Sequence, residues 1–374
     1  MNYTASSLQA TEDTMTGAAG SAPESRHRPA ALPRAASIVE MVPNARAAVF
    51  HALPAQVVAF PASGTAALAM PAAQKTRTSV ATDIAELFKL RVVALVVVTG
   101  WGGYALGMLQ SGLAVPQRGL LGTLAGIGLL SAGAGAMNEA VERRTDARMR
   151  RTANRPIAAG RMSLAQGLLA GLAAISLGVL WLHLFANPLT EILALLTAFL
   201  YTAVYTPLKR KTVWATFIGA FPGAMGPMLG WVAARGRVEV PAAALFAILF
   251  VWQFPHFMSI AWLYRHDYAR AGIRMLPVLH PDGVSTVVVS LIFAVVMIPI
   301  SLAPAALGMT GWRYCIPASL LGLLYLAYTV RFARILRPAT EEENGTVARA
   351  LLKASVLYLP LLFTALLFCA YQAR

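Results

Sequence analysis

From about Leu87 to the end of the chain, apolar runs of roughly 20 residues recur, separated by short polar or basic connections. Each run is long enough to cross a hydrocarbon core of about 30 Å as a helix, and about twice as long as a barrel strand needs to be. The pattern predicts about nine spans, centred near Val98, Gly128, Leu172, Leu196, Ala220, Leu249, Ala294, Leu323 and Leu361. The expected fold is therefore an all-α integral membrane protein. Residues 1–80 are different: they are rich in Ala, Ser, Pro and Thr, lack a strong period, and read as a disordered basic, Ala-rich extension ahead of a transmembrane domain over 81–374. The stretch from Ala47 to Met70 is modestly apolar, but Pro54, Pro61 and Gly64 interrupt it, and it lacks the basic-then-apolar order of a signal peptide.

Composition agrees with a bilayer. Only 13% of residues are charged and 57% are apolar, whereas about a quarter of a soluble domain is charged. The net charge of +15 does not point to nucleic acid, because the Lys and Arg residues punctuate hydrophobic segments and form no basic domain. Even connections carry the positive clusters: Arg143 through Arg161, Lys209 to Lys211, then Arg265, Arg270 and Arg274, then Arg331, Arg334 and Arg337. Odd connections offer Arg118, Arg235, Arg237 and Arg313. The positive-inside rule then places the amino terminus and the even connections in the cytoplasm, in a bacterial inner membrane in preference to a mitochondrial one. Cys315 and Cys369 lie far apart in apolar runs and suggest neither a disulfide framework nor a zinc site.

Acids are scarce in the membrane portion, yet Asn138, Glu142 and Asp146 stand at four-residue steps in NEAVERRTD. Each step rotates about 40° on a helix, so the three side chains share a narrow arc where the second span ends. Two carboxylates and an amide oxygen are hard ligands that suit Mg²⁺. Arg148, Arg150, Arg151 and Arg155 follow at once, a cation density that suits a diphosphate. The alternative is that these acids pair with their arginine neighbours in an ordinary basic loop. After the fourth span, Tyr205 and Lys209 are four apart and would share a face, although an interfacial tyrosine beside snorkelling lysines gives the same pattern. A third cluster, WQFPHFMSIAWLYRHDYARAGIRMLPVL, holds His256 and Asp267 eleven apart, within about 20° of each other if one helix is continuous. Trp252, Tyr264 and Tyr268 lie near the same sector and would wall an acceptor or face a carbocation; a histidine simply packed in the bundle is the alternative.

Together these clusters resemble the UbiA superfamily of intramembrane prenyltransferases, with its NxxxDxxxD, YxxxK and second acid-containing sites. Met149, Arg151–Thr152, Asn154–Pro156, the PHF at Pro255–Phe257 and DYxxAGxxMLPV from Asp267 resemble its haem-farnesylating branch, over about Asp83 to the last span. The resemblance implies a UbiA-type helix bundle that farnesylates haem b from farnesyl diphosphate, with a haem A synthase as a candidate partner. It implies that Asn138, Glu142 and Asp146 hold Mg²⁺, that Arg151, Arg155, Lys209 and Arg210 grip the diphosphate with Tyr205 beside them, and that His256, Asp267, Trp252 and Tyr264 face the acceptor. Three departures stand out: Glu142 replaces the usual Asp, His256 and Asp267 replace paired aspartates, and Lys89–Arg91 reads KLR in place of KPR. An aromatic, quinone-type prenyltransferase is the nearest rival. A transporter is a more distant one, because it would place polar groups near the midplane and not at helix ends.

Overall fold

The computed structural model describes residues 79–112 and 117–372, and among these the regular structure is helical, without strands. The reading of residues 1–80 falls, except for Ser79 and Val80, outside the described residues. A short helix, α1 (Val80–Leu87), is N-capped by the Ser79 hydroxyl. Then come α2 (Leu90–Ser111), α3 (Gln117–Asp146), α4 (Leu164–Phe185) and α5 (Pro188–Phe199), the last continued by a π-helical turn (Leu200–Tyr205) and α6 (Thr206–Leu208). Next are α7 (Ala215–Arg235), α8 (Val240–Leu263), the short α9 (Arg265–Ala271) and α10 (Leu276–Leu279), and finally α11 (Val284–Ala306), α12 (Cys315–Phe332) and α13 (Glu341–Gln372). Among the described residues nine helices are long and apolar enough to cross a membrane, at the positions the hydrophobic pattern predicts.

Local chemistry sets the boundaries. Ser163 and Gln166 form a reciprocal capping box that starts α4, and Asn187 followed by Pro188 starts α5. Gly112, Gly236 and Gly272 end α2, α7 and α9 in the left-handed conformation. In lipid there is no hydrophobic drive between helices, so close contact must hold them together. The α2–α7 seam shows how close: a Cβ on Gly103 would lie 1.9 Å from the Pro227 carbonyl oxygen, and one on Gly230 would lie 1.8 Å from that of Gly100. Outward faces stay apolar, with Leu169, Leu172, Ile192, Phe199, Ile292 and Leu320 all exposed, as a lipid-facing surface requires.

The basic connections meet at one end of the bundle. The Arg274 amide donates to the Lys209 carbonyl at 3.0 Å, Arg151 Nη2 donates to the Tyr268 hydroxyl at 3.2 Å, and Arg265 pairs with Glu341 at the start of α13. At the other end Arg235 and Arg237 share the Glu239 carboxylate, at 3.0 and 2.8 Å. Bonds from Arg235, then Trp231 and Arg237, bring the Glu239 carboxyl down to about 2 against a small burial cost. One carboxylate thus offsets part of the sparse positive charge of that end.

Candidate active site

The last turns of α3 carry Asn138, Glu142 and Asp146 on one continuous helix, as their spacing predicts. Each is bound by a cation from a different element. Lys89, at the junction of α1 and α2, donates to Asn138 Oδ1; Lys209 pairs with Glu142 at 2.8 Å; Arg155 pairs with Asp146 at 2.8 Å. Lys89 reaches its partner from a left-handed backbone (φ +49°), the one non-glycine residue of this kind among those described. That conformation costs about 1–2 kcal/mol, and strain of this sort collects where a site needs a side chain in one place. Asn138 Nδ2 donates to Thr206 Oγ1 at 2.9 Å, and Thr206 donates onward to the Tyr201 carbonyl at 2.7 Å. This chain fixes the amide with its oxygen toward Lys89.

The loop after α3 folds back onto the helix. Thr152 Oγ1 donates to the Asp146 carbonyl at 3.0 Å, and the Ile157 amide donates to Glu139 Oε1 at 3.2 Å. Asp146 and Glu139 are 1% and 0% exposed, and one oxygen of each, Oδ1 and Oε2, has no hydrogen-bond partner among the described residues. Burial opposes the Arg155 charge, but Asp146 above all, with Glu139 and Glu142, outweighs it and holds the guanidinium above its ordinary range. Beside Glu142, Lys209 Nζ sits 4.5 Å from the centroid of the Tyr205 ring. The Tyr205 ring occupies space that a Cβ on Gly219 would invade at 2.5 Å. Burial also opposes the Lys209 charge, yet Tyr205 and Glu142 prevail and raise its pKa above the usual lysine value. The π-helical turn that presents Tyr205 is a common device at functional sites.

Arg151 extends the cationic wall, its guanidinium 4.6 Å from the Tyr264 ring and 5.8 Å from the Tyr268 ring. Arg148, Arg150 and Arg210 lie exposed on the same loops. The third cluster corrects one expectation. The helix is not continuous from His256 to Asp267: α8 stops at Leu263, where Tyr264 leaves helical geometry (φ −112°, ψ 18°), and α9 begins at Arg265. Arg265 Nη1 caps the freed Trp262 carbonyl at 2.8 Å. Asp267 consequently pairs with Arg270, while His256 turns to α13, its Nδ1 2.8 Å from Ser355 Oγ and its ring stacked on Trp252 at 4.7 Å. Tyr264 stays with Arg151.

The donor set at the end of α3 fits a hard cation. It is oxygen only, and Asp146 Oδ1 is buried without a partner. No three His, Cys, Asp or Glu side chains converge among the described residues, so the set depends on the amide of Asn138. Lys89, Glu139, Tyr201 and Thr206 belong to the constellation without having been singled out as site residues. Glu139 had a signal: seven residues before Asp146, it lies within about 20° of it on the helix. Thr206 and Tyr201 had none, since only the π-turn aligns them.

Comparison with known proteins bears on the family and the fold. Residues 95–350 match the model of the UbiA prenyltransferase family. The chain is 49% identical over 285 residues to a protein of Koribacter versatilis named Protoheme IX farnesyltransferase, covering 76% of this chain and 92% of that one. It is 43% identical over 287 residues to a protein of the same name from Solibacter usitatus, covering 75% and 96%. Among solved structures, a digeranylgeranylglyceryl phosphate synthase superposes with a TM-score of 0.62 at 16% identity, over 78% of this chain and 99% of that one, which supports the fold. A UbiA homologue from Aeropyrum pernix gives 0.52 at 16% identity over 71% and 98%. The chain belongs to the UbiA prenyltransferase family.

Proposed function

We propose that this protein transfers the farnesyl group of farnesyl diphosphate to a vinyl group of haem b, giving haem O. The observation that carries the reading is the convergence of Asn138, Glu142 and Asp146 with Lys89, Lys209 and Arg155 at one end of an apolar bundle. The names of the relatives at 49% and 43% identity supply the acceptor. Lys209, Arg155 and Arg151 would take the diphosphate oxygens, releasing Glu142 and Asp146 from their ion pairs. Mg²⁺, held by Asn138, Glu142 and Asp146, would neutralise further charge on the leaving group.

As the allylic C1–O bond breaks, diphosphate departs with the electron pair, and charge grows on the oxygens these cations face. They then stabilise the transition state more than the intact substrate, which is the condition for rate acceleration. The terminal vinyl carbon of haem bonds to C1, and water adds to the resulting cation with loss of a proton. The product is a hydroxyethylfarnesyl side chain. Tyr264 and Tyr268, already faced by Arg151, would offer ring surfaces to the allylic cation. Asp267 would hold the α9 turn through Arg270, and Arg210 would meet the diphosphate from the loop. The basic end would lie in the cytoplasm, with the amino terminus on the same side.

The test uses the full chain, purified in detergent, with haem b, farnesyl diphosphate and Mg²⁺, and reads the mass of farnesylated haem. The expected result is product from the wild type and none with Asp146→Ala or with EDTA. Prenylation of a phenolic acid in place of haem would transfer the reading to the quinone-type branch, and reaction with neither acceptor would refute it.

A further inference from the structure

The bonds around His256 decide where its proton lies. Ser355 Oγ donates its single proton to the Leu352 carbonyl at 2.7 Å. With that proton directed to Leu352, the oxygen 2.8 Å from His256 Nδ1 accepts a bond from it. This arrangement assigns the imidazole proton to Nδ1 and the lone pair to Nε2. No carboxylate contacts the ring among the described residues to favour a doubly protonated form, and Nε2 makes no hydrogen bond among them.

The ring is also fixed in angle. It stacks on Trp252, with planes 21° apart. Trp252 Nε1 donates to the Ser355 carbonyl at 2.8 Å, and the Tyr325 hydroxyl donates to the Trp252 carbonyl at 3.0 Å. Three helices, α8, α12 and α13, thus clamp one imidazole inside an apolar cluster that includes Tyr325, Tyr358 and Leu359. A histidine held through Nδ1–H with Nε2 open has the arrangement of a metal ligand oriented by an outer partner. Along α8, His256 stands eight residues from Tyr264, about 12 Å of helix from the ring that Arg151 covers.

We infer that His256 Nε2 is an axial ligand to the iron of the porphyrin acceptor, and that Ser355 is the positioning residue that fixes its tautomer. The inference rests on the haem reading above. Nε2 donates its lone pair to iron in place of a water ligand. A flat, largely apolar macrocycle thereby gains one directional bond in a region with few hydrogen-bonding groups to orient it.

Ferric haem b titrated into the full chain in detergent, followed by absorption and electron paramagnetic resonance, tests this. The wild type should show a nitrogen-ligated spectrum. His256→Ala should abolish that signature, lower haem affinity at least tenfold, and recover the signature with added imidazole. Ser355→Ala should weaken haem binding about tenfold, and Ser355→Thr, which keeps the hydroxyl, should restore it. Should His256→Ala not fold, His256→Met serves, since a thioether must change the spectrum. An unchanged spectrum in either His256 variant, with the wild type still producing farnesylated haem, overturns the inference and leaves the haem reading standing. A wild type that neither binds nor farnesylates haem overturns both.

Discussion

Two polar regions interrupt this apolar bundle, and they are built on opposite plans. At the end of α3, three hard oxygen donors are each bound by a cation drawn from elsewhere: Lys89, Lys209 and Arg155. Around His256 there is no formal charge among the contacts, only a serine, an indole and backbone carbonyls. The first plan stores charge in two ion pairs and one lysine–amide bond that a charged substrate can open, because exchanging one ionic partner for another avoids leaving a buried ion bare. The second holds a neutral ring in one orientation. A diphosphate suits the first and a flat, mostly apolar acceptor the second.

The difference predicts that damage to the two regions will separate kinetically. The largest effect should come from Asp146→Asn: turnover falls about 10³-fold, while Arg155, left buried without its carboxylate, also costs about 3–5 kcal/mol of stability, read by product mass and thermal unfolding. Lys209→Met should lower turnover by about 10²-fold with every acceptor tried. Because the Lys209 pKa is raised, its charge is complete below the ordinary lysine value and is lost only above it. The wild-type rate should therefore show no alkaline decline from this group up to about pH 10. Trp252→Leu should raise the haem KM about tenfold and leave inhibition by inorganic pyrophosphate unchanged, since it frees the His256 ring without touching the cations; equal changes in both would merge the two regions.

Glu139→Ala, which removes the acceptor of the Ile157 amide, should slow turnover by roughly tenfold through the loop it anchors, and expose residues 147–162 to limited proteolysis. Glu139→Gln, which keeps an acceptor oxygen for the Ile157 amide, should recover most of that loss. The smallest effect belongs to the far end. The Glu239 carboxyl is depressed to about 2, so its stabilisation is present above the ordinary carboxylate range and is lost as pH falls from about 4.5 toward 2. Glu239→Gln should remove that part of the acid transition without changing the rate at neutral pH.

How much of this the chain discloses depends on the range of the interaction. The spans and the α3 face follow from hydrophobic runs and a four-residue period, which are local. The partners of that face are not local: Lys209 meets Glu142 from a different helix end, and Lys89 meets Asn138 only because its backbone turns left-handed. The break at Tyr264 was illegible for a similar reason. WLYRHDY contains no proline or glycine, and the helix ends there with Arg265 capping the Trp262 carbonyl and Arg151 lying over Tyr264. The α2–α7 seam is of the same kind: both helices carry glycines, but that Gly103 meets Pro227 and Gly230 meets Gly100 needed the fold.

The most direct test is calorimetric titration of the wild type and Asp146→Asn with farnesyl thiolodiphosphate, an unreactive analogue, with and without Mg²⁺. Tight binding that requires Mg²⁺ in the wild type, and loses at least 10²-fold in the variant, is the predicted result. Equal binding by both proteins, indifferent to Mg²⁺, would show that the end of α3 is not the diphosphate site.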